Sequence, residues 1–134
     1  MPIHTRRWND PEEPTCRSRK AEALHDSFRL LICRYRPRGL RKADETWDAW
    51  WKELGPSREL HADFYGKHGA PIAWEEYRSR YLAEIRGRSA LIEQLAARVR
   101  RGERVTLLCS SACVDEEHCH RTLLKELIER AVSR

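Results

Sequence analysis

The chain has 134 residues, a formal net charge of +5 at neutral pH and five cysteines. A chain of this length buries roughly two-thirds of its unfolded surface, which is enough for one hydrophobic core, so we predict a single domain over residues 1–134. No apolar run approaches the ~20 residues that span a bilayer, and the N-terminus lacks the apolar stretch of a secretory signal, so we expect a cytoplasmic protein with no membrane partner. Because the cysteine count is odd, we expect no disulfide framework.

The first predicted elements are two strands separated by a loop-rich insertion. The first strand covers residues 3–8 (IHTRRW), and the polar, proline-containing insertion covers residues 9–27. The second strand lies at residues 28–35 (FRLLICRY). Its apolar run without alternation is typical of a strand covered on both faces in a parallel sheet. Pro37 and Gly39 then predict a turn.

Four helices are predicted next, at residues 44–54, after Ser57, at residues 74–85 and at residues 91–99. The apolar residues of the first helix follow a helical repeat, so we interpret them as one stripe that packs on the sheet rather than as a platform for stacking bases. That stripe consists of Trp47, Trp50, Trp51 and Leu54. Ser57 is suited to cap the short second helix, and Gly102 to end the fourth.

A strand and a helix complete the prediction. The strand covers residues 105–109 (VTLLC), and the helix covers residues 121–132 with its leucines facing inward. Strands separated by helical crossovers favour parallel pairing. We therefore predict a small three-layer α/β domain with a short, mainly parallel sheet flanked by helices.

The chemistry of the chain is concentrated in residues 109–121 (CSSACVDEEHCHR), which hold three cysteines, two histidines and an arginine. If the strands at 28–35 and 105–109 are parallel neighbours, their carboxyl ends meet at one edge of the sheet, where open α/β folds bind ligands. The start of the last helix adds unpaired N–H groups that favour an anion. We predict a pocket for a phosphate-bearing or other anionic small molecule, such as a nucleotide. The predicted anion-binding residues are Arg36, Arg38, Ser110 and Arg121.

Cys109 and His120 are the predicted catalytic residues. A cysteine at a strand end that faces arginines and a helix N-terminus is favoured as a thiolate, and His120 is suited to donate or accept a proton. The alternative is a buried Cys109 that packs as a small apolar residue. At this point the sequence leaves open whether the protein is an enzyme.

Zinc is the less favoured interpretation of this region. The candidate ligands are Cys109, Cys113, His118, Cys119 and His120, which supply the sulfur and nitrogen donors of tetrahedral zinc. Structural zinc sites usually combine two separate ligand pairs, whereas this is one cluster, so we predict no cofactor and keep zinc as the exception. His61 and His68 lack ligand spacing and are interpreted as surface residues.

A nucleic-acid-binding module, with zinc as a possible stabilising ion, is the alternative function. Its basis is the excess of 21 arginines over five lysines, because guanidinium groups bind phosphate in a bidentate way. However, 21 acidic residues are interleaved with the basic ones, which is typical of solvated helix surfaces. A third interpretation is an interaction domain with a structural cysteine cluster.

Several motifs in a fixed order carry a resemblance to a known family. They are RYRPRGL, WDAWWKELGPSREL, WEEYRSRYLAEI, VTLLC and HCHRTLLKEL. With these motifs, residues 28–130 resemble the prokaryotic family named domain of unknown function 488. The resemblance implies a compact cytoplasmic α/β domain and brings no established reaction. It emphasises Arg36, Pro37, Arg38, Gly39, Cys109, Cys119, His120 and Arg121. The chain departs from the family pattern in the longer tract that carries Cys113 and in the segment at 12–27.

Overall fold

The computed structural model describes residues 3–9, 28–110 and 115–134. A four-stranded sheet forms its centre, with the strand order β1-β4-β2-β3 and every pairing parallel. The strands are β1 (Ile3–Arg7), β2 (Phe28–Leu31), β3 (Ala49–Trp50) and β4 (Val105–Cys109). All five residues of β4 are buried, because β4 has a neighbour on each side. The predicted α/β class and parallel sheet are confirmed.

Four α-helices accompany the sheet. They are α1 (Arg58–Phe64), α2 (Trp74–Ile85), α3 (Ser89–Arg100) and α4 (His120–Ser133). Ser57 caps α1 as predicted, since its hydroxyl oxygen accepts a hydrogen bond from the backbone N–H of Leu60 at 3.1 Å. Gly102 follows α3 with φ +91°, the left-handed geometry that favours glycine after a helix. None of the described helices combines the length and the apolar character that a segment crossing a bilayer needs.

The two faces of the sheet are covered differently. Alternate residues of β2 and β4, such as Leu30 and Leu107, face the large core formed with the four helices. Leu31 and Leu108 belong to a second buried cluster, formed with the aromatic side chains of Trp47 and Trp8. The sheet therefore lies between a layer of helices and a layer of turn residues. Residues 10–27, which hold most of the predicted insertion, lie outside the described residues.

The predicted helix at residues 44–54 is wrong. The segment instead contains 3₁₀ turns at Lys42–Asp44 and Lys52–Leu54, on either side of β3. The backbone N–H of Trp51 donates to the carbonyl of Leu31 at 3.0 Å, so pairing with β2 replaces a helical repeat. The tryptophans separate as a result: Trp47 is buried in the second cluster, whereas Trp51 packs against the large core. Cross-strand pairing therefore overrides the helical spacing.

Candidate functional site

Two strand ends and one helix start meet at the same edge of the sheet. β2 and β4 are parallel neighbours, with Leu31 opposite Leu108, and the N–H of Ile32 extends the pairing by donating to the carbonyl of Leu108 at 2.9 Å. The segment after each strand therefore leaves the sheet at its carboxyl edge. The α4 helix begins at His120, whose ring reaches Ile32 at that edge. The predicted proximity of the two strand ends is confirmed.

Cys109, Cys119 and His120 form a compact buried group at this edge, which we call the sulfur–imidazole cluster. The Sγ atom of Cys119 lies 3.5 Å from Sγ of Cys109. The Nδ1 atom of His120 lies 3.9 Å from Sγ of Cys109 and 4.0 Å from Sγ of Cys119. All three residues are at most 4% exposed, so this chemistry is shielded from bulk water.

The second ring nitrogen of His120 fixes the orientation of the imidazole. Its Nε2 atom lies 2.9 Å from the carbonyl oxygen of Ile32. A carbonyl oxygen only accepts, so the proton of the neutral ring resides on Nε2. The Nδ1 atom consequently directs its lone pair toward the two sulfur atoms. The ring also contacts Tyr81, with a centroid separation of 5.4 Å.

The sulfur–imidazole cluster lines a small cavity of about 30 Å³. Partly buried Arg34 and Ser110 line it as well, together with exposed His118. The cavity therefore combines sulfur and imidazole donors with a guanidinium group and a hydroxyl. The remaining lining side chains include Cys33, His61, Phe64 and Tyr77.

Two buried tyrosines stand beside the cluster. Burial raises the pKa of Tyr77 far above its usual range, and the neighbouring hydroxyl of Tyr81 and the sulfurs of Cys119 and Cys109 raise it further. The pKa of Tyr81 is also raised, first by burial and then by the two cysteines. Both hydroxyls therefore stay protonated at neutral pH. The Tyr81 hydroxyl donates to the carbonyl of Leu54 at 2.6 Å, whereas the Tyr77 side chain lines the cavity.

The predicted anion-binding arginines occupy three different environments. Arg36 forms an ion pair with Glu45 at 2.8 Å, and Arg38 is exposed. Neither side chain lines the cavity. Arg121 is buried in the first turn of α4. Arg34 is the arginine that lines the cavity. The roles of Arg36, Arg38 and Arg121 in anion binding remain predictions.

The metal candidates also separate. Cys109 and Cys119 are together, but Nδ1 of His118 lies 2.7 Å from a carboxylate oxygen of Asp115. Cys113 lies outside the described residues. His120, also one of the candidate ligands, is the third donor close to the two sulfurs. Among the described residues, these three are the group whose donor atoms lie within 4.8 Å of one another.

Sequence reasoning missed Tyr77 and His61 at the site. Tyr77 belongs to the apolar repeat of α2, which indicates only a buried face. His61 was interpreted as a surface residue, yet its ring packs 5.0 Å from Tyr35 and 4.6 Å from Tyr65 and lines the cavity. That interpretation is wrong, because nothing in the spacing of a short helix reveals which strand end it covers. His68, in contrast, is exposed and pairs with Asp63.

Comparison with known proteins identifies relatives of this chain. The family described as the active DUF488-N3 subclade matches residues 14–132. The uncharacterised protein YeaO of Escherichia coli K12 is 32% identical over 118 residues, which cover 88% of this chain and 90% of that protein. The uncharacterised protein Rv3073c of Mycobacterium tuberculosis H37Rv is 38% identical over 68 residues, which cover 51% of this chain and 55% of that protein. No solved structure is significantly similar to this chain.

Proposed function

This chain belongs to the family of domain of unknown function 488, in its DUF488-N3 subclade, and we propose that it binds a small anionic molecule in the cavity beside the sulfur–imidazole cluster. The observation that carries the proposal is the position of Arg34. Arg34 is partly buried and lines the same cavity as Ser110, Cys109 and His120. The ligand's anionic group would lie against Arg34, and its reacting end would face the cluster.

The charge state of Arg34 supports an anionic ligand. Among the residues that the structure describes, no carboxylate forms an ion pair with Arg34. A guanidinium that is partly removed from water is stabilised by an anion that enters its cavity. Each charge-assisted hydrogen bond contributes about 1.5 to 3 kcal/mol. Ser110 lines the cavity beside Arg34.

The sulfur–imidazole cluster supplies several electron-pair donors to the lining of the cavity. The sulfurs of Cys109 and Cys119 and the Nδ1 atom of His120 converge on one another. Such a group suits an electrophilic centre at the far end of the bound anion, with His120 as the proton acceptor. Cys109 and His120 therefore keep their predicted catalytic places.

The nucleic-acid alternative has less support from the distribution of charge. Several arginines pair with carboxylates on the protein itself, as the ion pairs of Arg36 with Glu45 and of Arg98 with Glu103 illustrate. A phosphate track requires guanidinium groups that are exposed and available along one surface. The small cavity beside Arg34, of about 30 Å³, suits a single anionic group rather than a polymer backbone.

Thermal unfolding in the presence of anions tests the proposal. We expect pyrophosphate or adenosine monophosphate to raise the Tm of the wild-type protein at constant ionic strength, whereas adenosine and chloride have no effect. A ligand at a hundred times its Kd adds about 2.7 kcal/mol, which corresponds to a Tm shift of several degrees. The measurement is differential scanning fluorimetry, followed by isothermal titration calorimetry for the anion with the largest shift.

Arg34→Gln and Arg38→Gln form a matched pair for this experiment. Both residues follow β2, but only Arg34 lines the cavity. We expect Arg34→Gln to abolish the anion-dependent shift and Arg38→Gln to retain it. The proposal is wrong if no anion stabilises the wild type beyond chloride, or if the two variants respond equally.

A further inference from the structure

We infer that the sulfur–imidazole cluster binds one zinc ion through Cys109, Cys119 and His120, with the fourth coordination position open to the cavity. The inference depends on the proposed function only for what occupies that fourth position. Zinc binding itself is argued from the three donor atoms.

The spacing of the donors suits a tetrahedral ion. Zinc–sulfur bonds of about 2.3 Å and zinc–nitrogen bonds of about 2.0 to 2.1 Å place two sulfurs about 3.8 Å apart and a sulfur and a nitrogen about 3.6 Å apart. Here the sulfur atoms of Cys109 and Cys119 are 3.5 Å apart, and Nδ1 of His120 lies 3.9 and 4.0 Å from them. Shifts of a few tenths of an ångström would give all three ideal bonds to one central ion.

The hydrogen bond of His120 is the second indication of a metal ligand. Metal-bound histidines almost always donate their other ring N–H to a carboxylate, backbone carbonyl or water, which fixes the tautomer. His120 has this arrangement, with Nε2 2.9 Å from the carbonyl of Ile32 and Nδ1 directed at the sulfurs. Simple packing of two cysteines against a histidine does not require the lone pair to face the sulfur atoms.

The type of donor selects the ion. Two thiolates and one imidazole favour zinc and other ions of comparable softness over magnesium and calcium, which prefer oxygen ligands. Two thiolates also neutralise the charge of Zn²⁺, so a buried site carries no net charge once both thiol protons are released. The burial of Cys109, Cys119 and His120 therefore suits the metal-bound cluster.

The position of the cluster indicates an open coordination site. Structural zinc ions usually have four protein ligands, whereas catalytic zinc ions have three and leave the fourth place to water or substrate. All three donors line the same cavity as Arg34 and Ser110. Zinc at this place would polarise a substrate oxygen or a bound water. Cys109 and His120 would then act as zinc ligands, and these roles would replace the nucleophile and proton-acceptor roles proposed for the metal-free cluster.

The fold explains why the sequence disfavoured zinc. The prediction required two separate ligand pairs, and residues 109–121 look like a single cluster. The structure divides that cluster between two elements, because Cys109 ends β4 and Cys119 and His120 begin α4. The chain returns to the sheet edge at the start of α4, and this return brings Cys119 and His120 beside Cys109.

Metal analysis of the full chain tests the inference. We expect tag-free protein, reconstituted with zinc under reducing conditions and dialysed, to retain about one zinc per chain by inductively coupled plasma mass spectrometry, in line with a site of three protein ligands. Cobalt should replace zinc and give a sulfur-to-cobalt charge-transfer band with the intense visible bands of a tetrahedral ion. Wild-type protein without stoichiometric zinc, or cobalt bound without the sulfur band, would overturn the inference.

Matched variants locate the ligands. Cys109→Ser, Cys119→Ser and His120→Gln should each lower zinc retention at least tenfold, whereas Cys33→Ser and His118→Gln, which change other residues of the same cavity, should retain it. Cys113→Ser, a change outside the described residues, should also retain zinc if the protein supplies three ligands. Equal loss in Cys33→Ser, or loss in Cys113→Ser, would contradict the three-ligand site. The cobalt spectrum of the wild type keeps the test decisive if a ligand variant fails to fold.

Two measurements separate this inference from the proposed function. Zinc content is measured without any anion, and the anion-dependent Tm shift is measured on both zinc-loaded and chelator-treated protein. Zinc binding without an anion response refutes only the anionic ligand. An anion response in a protein that never binds zinc refutes only the metal.

Discussion

At the scale of single residues, the site depends on hydrogen bonds that a buried environment makes costly to lose. His120 is held by the carbonyl of Ile32, and the adjacent Tyr81 by the carbonyl of Leu54. In both pairs the side chain is buried, so water cannot replace the partner that a substitution removes. These two bonds connect helices α4 and α2 to the segments that follow β2 and β3.

Tyr81→Phe tests this argument away from the cluster itself. The variant leaves the carbonyl of Leu54 without the Tyr81 hydroxyl, and we expect it to lower the free energy of unfolding by about 1 to 3 kcal/mol. Urea denaturation followed by tryptophan fluorescence is the measurement. Tyr35→Phe is the control, since Tyr35 is 46% exposed and should change stability by less than about 0.5 kcal/mol. Equal stability of Tyr81→Phe and wild type would contradict the argument.

At the scale of elements, the turn after β3 is packed directly against the end of β2. A Cβ atom added to Gly55 would lie 2.8 Å from the backbone nitrogen of Arg34 and 2.9 Å from the carbonyl oxygen of Ile32. That oxygen is the one that orients His120, and Arg34 lines the cavity. The close approach at Gly55 therefore helps to set the geometry of the whole site.

We expect Gly55→Ala to be destabilising and to disturb the site. The new methyl group meets backbone atoms, which cannot rotate away, so the loss in stability should be about 1 to 3 kcal/mol. Gly87→Ala is the matched control, because a Cβ at Gly87 meets no atom within 4 Å. Denaturant unfolding of both variants, with zinc retention as a second readout, checks the prediction. A Gly55→Ala variant with wild-type stability and metal content would show that the contact is unimportant.

At the scale of the whole molecule, the net charge of +5 is a small excess of basic over acidic side chains. Basic side chains are neutralised in pairs across several elements, which shortens the reach of their fields. The pairs include Arg36–Glu45, Arg41–Asp44, Arg80–Asp63, Arg98–Glu103 and Arg100–Glu93. Over the described part of the chain, these pairs lower the number of basic side chains that are available to bind a phosphate backbone.

Binding of duplex DNA measures this whole-molecule property. For a 20-base-pair duplex at physiological salt, we expect affinity weaker than a Kd of about 10⁻⁴ M, the weak end of non-specific binding. Fluorescence anisotropy over a series of salt concentrations is the measurement. Micromolar affinity that falls steeply with salt would instead favour the nucleic-acid-binding module.

The sequence by itself determined the repeating parts of this protein. Unbroken apolar runs predicted β2 and β4, helical spacing predicted α2, α3 and α4, and the sequence CSSACVDEEHCHR indicated where the chemistry lies. These features depend on the preference of nearby residues for strand or helix and on which face of the element is apolar. Both can be read from residues that are neighbours in the sequence.

Only the tertiary structure decided which distant residues meet. The tryptophan-rich segment pairs with β2 instead of forming the helix that its spacing predicts. Arg34 lines the cavity, whereas Arg36 pairs with Glu45. The orientation of His120 is set by a carbonyl 88 positions away. Such contacts depend on strand register and on competition between partners, and neither quantity can be obtained from local sequence spacing.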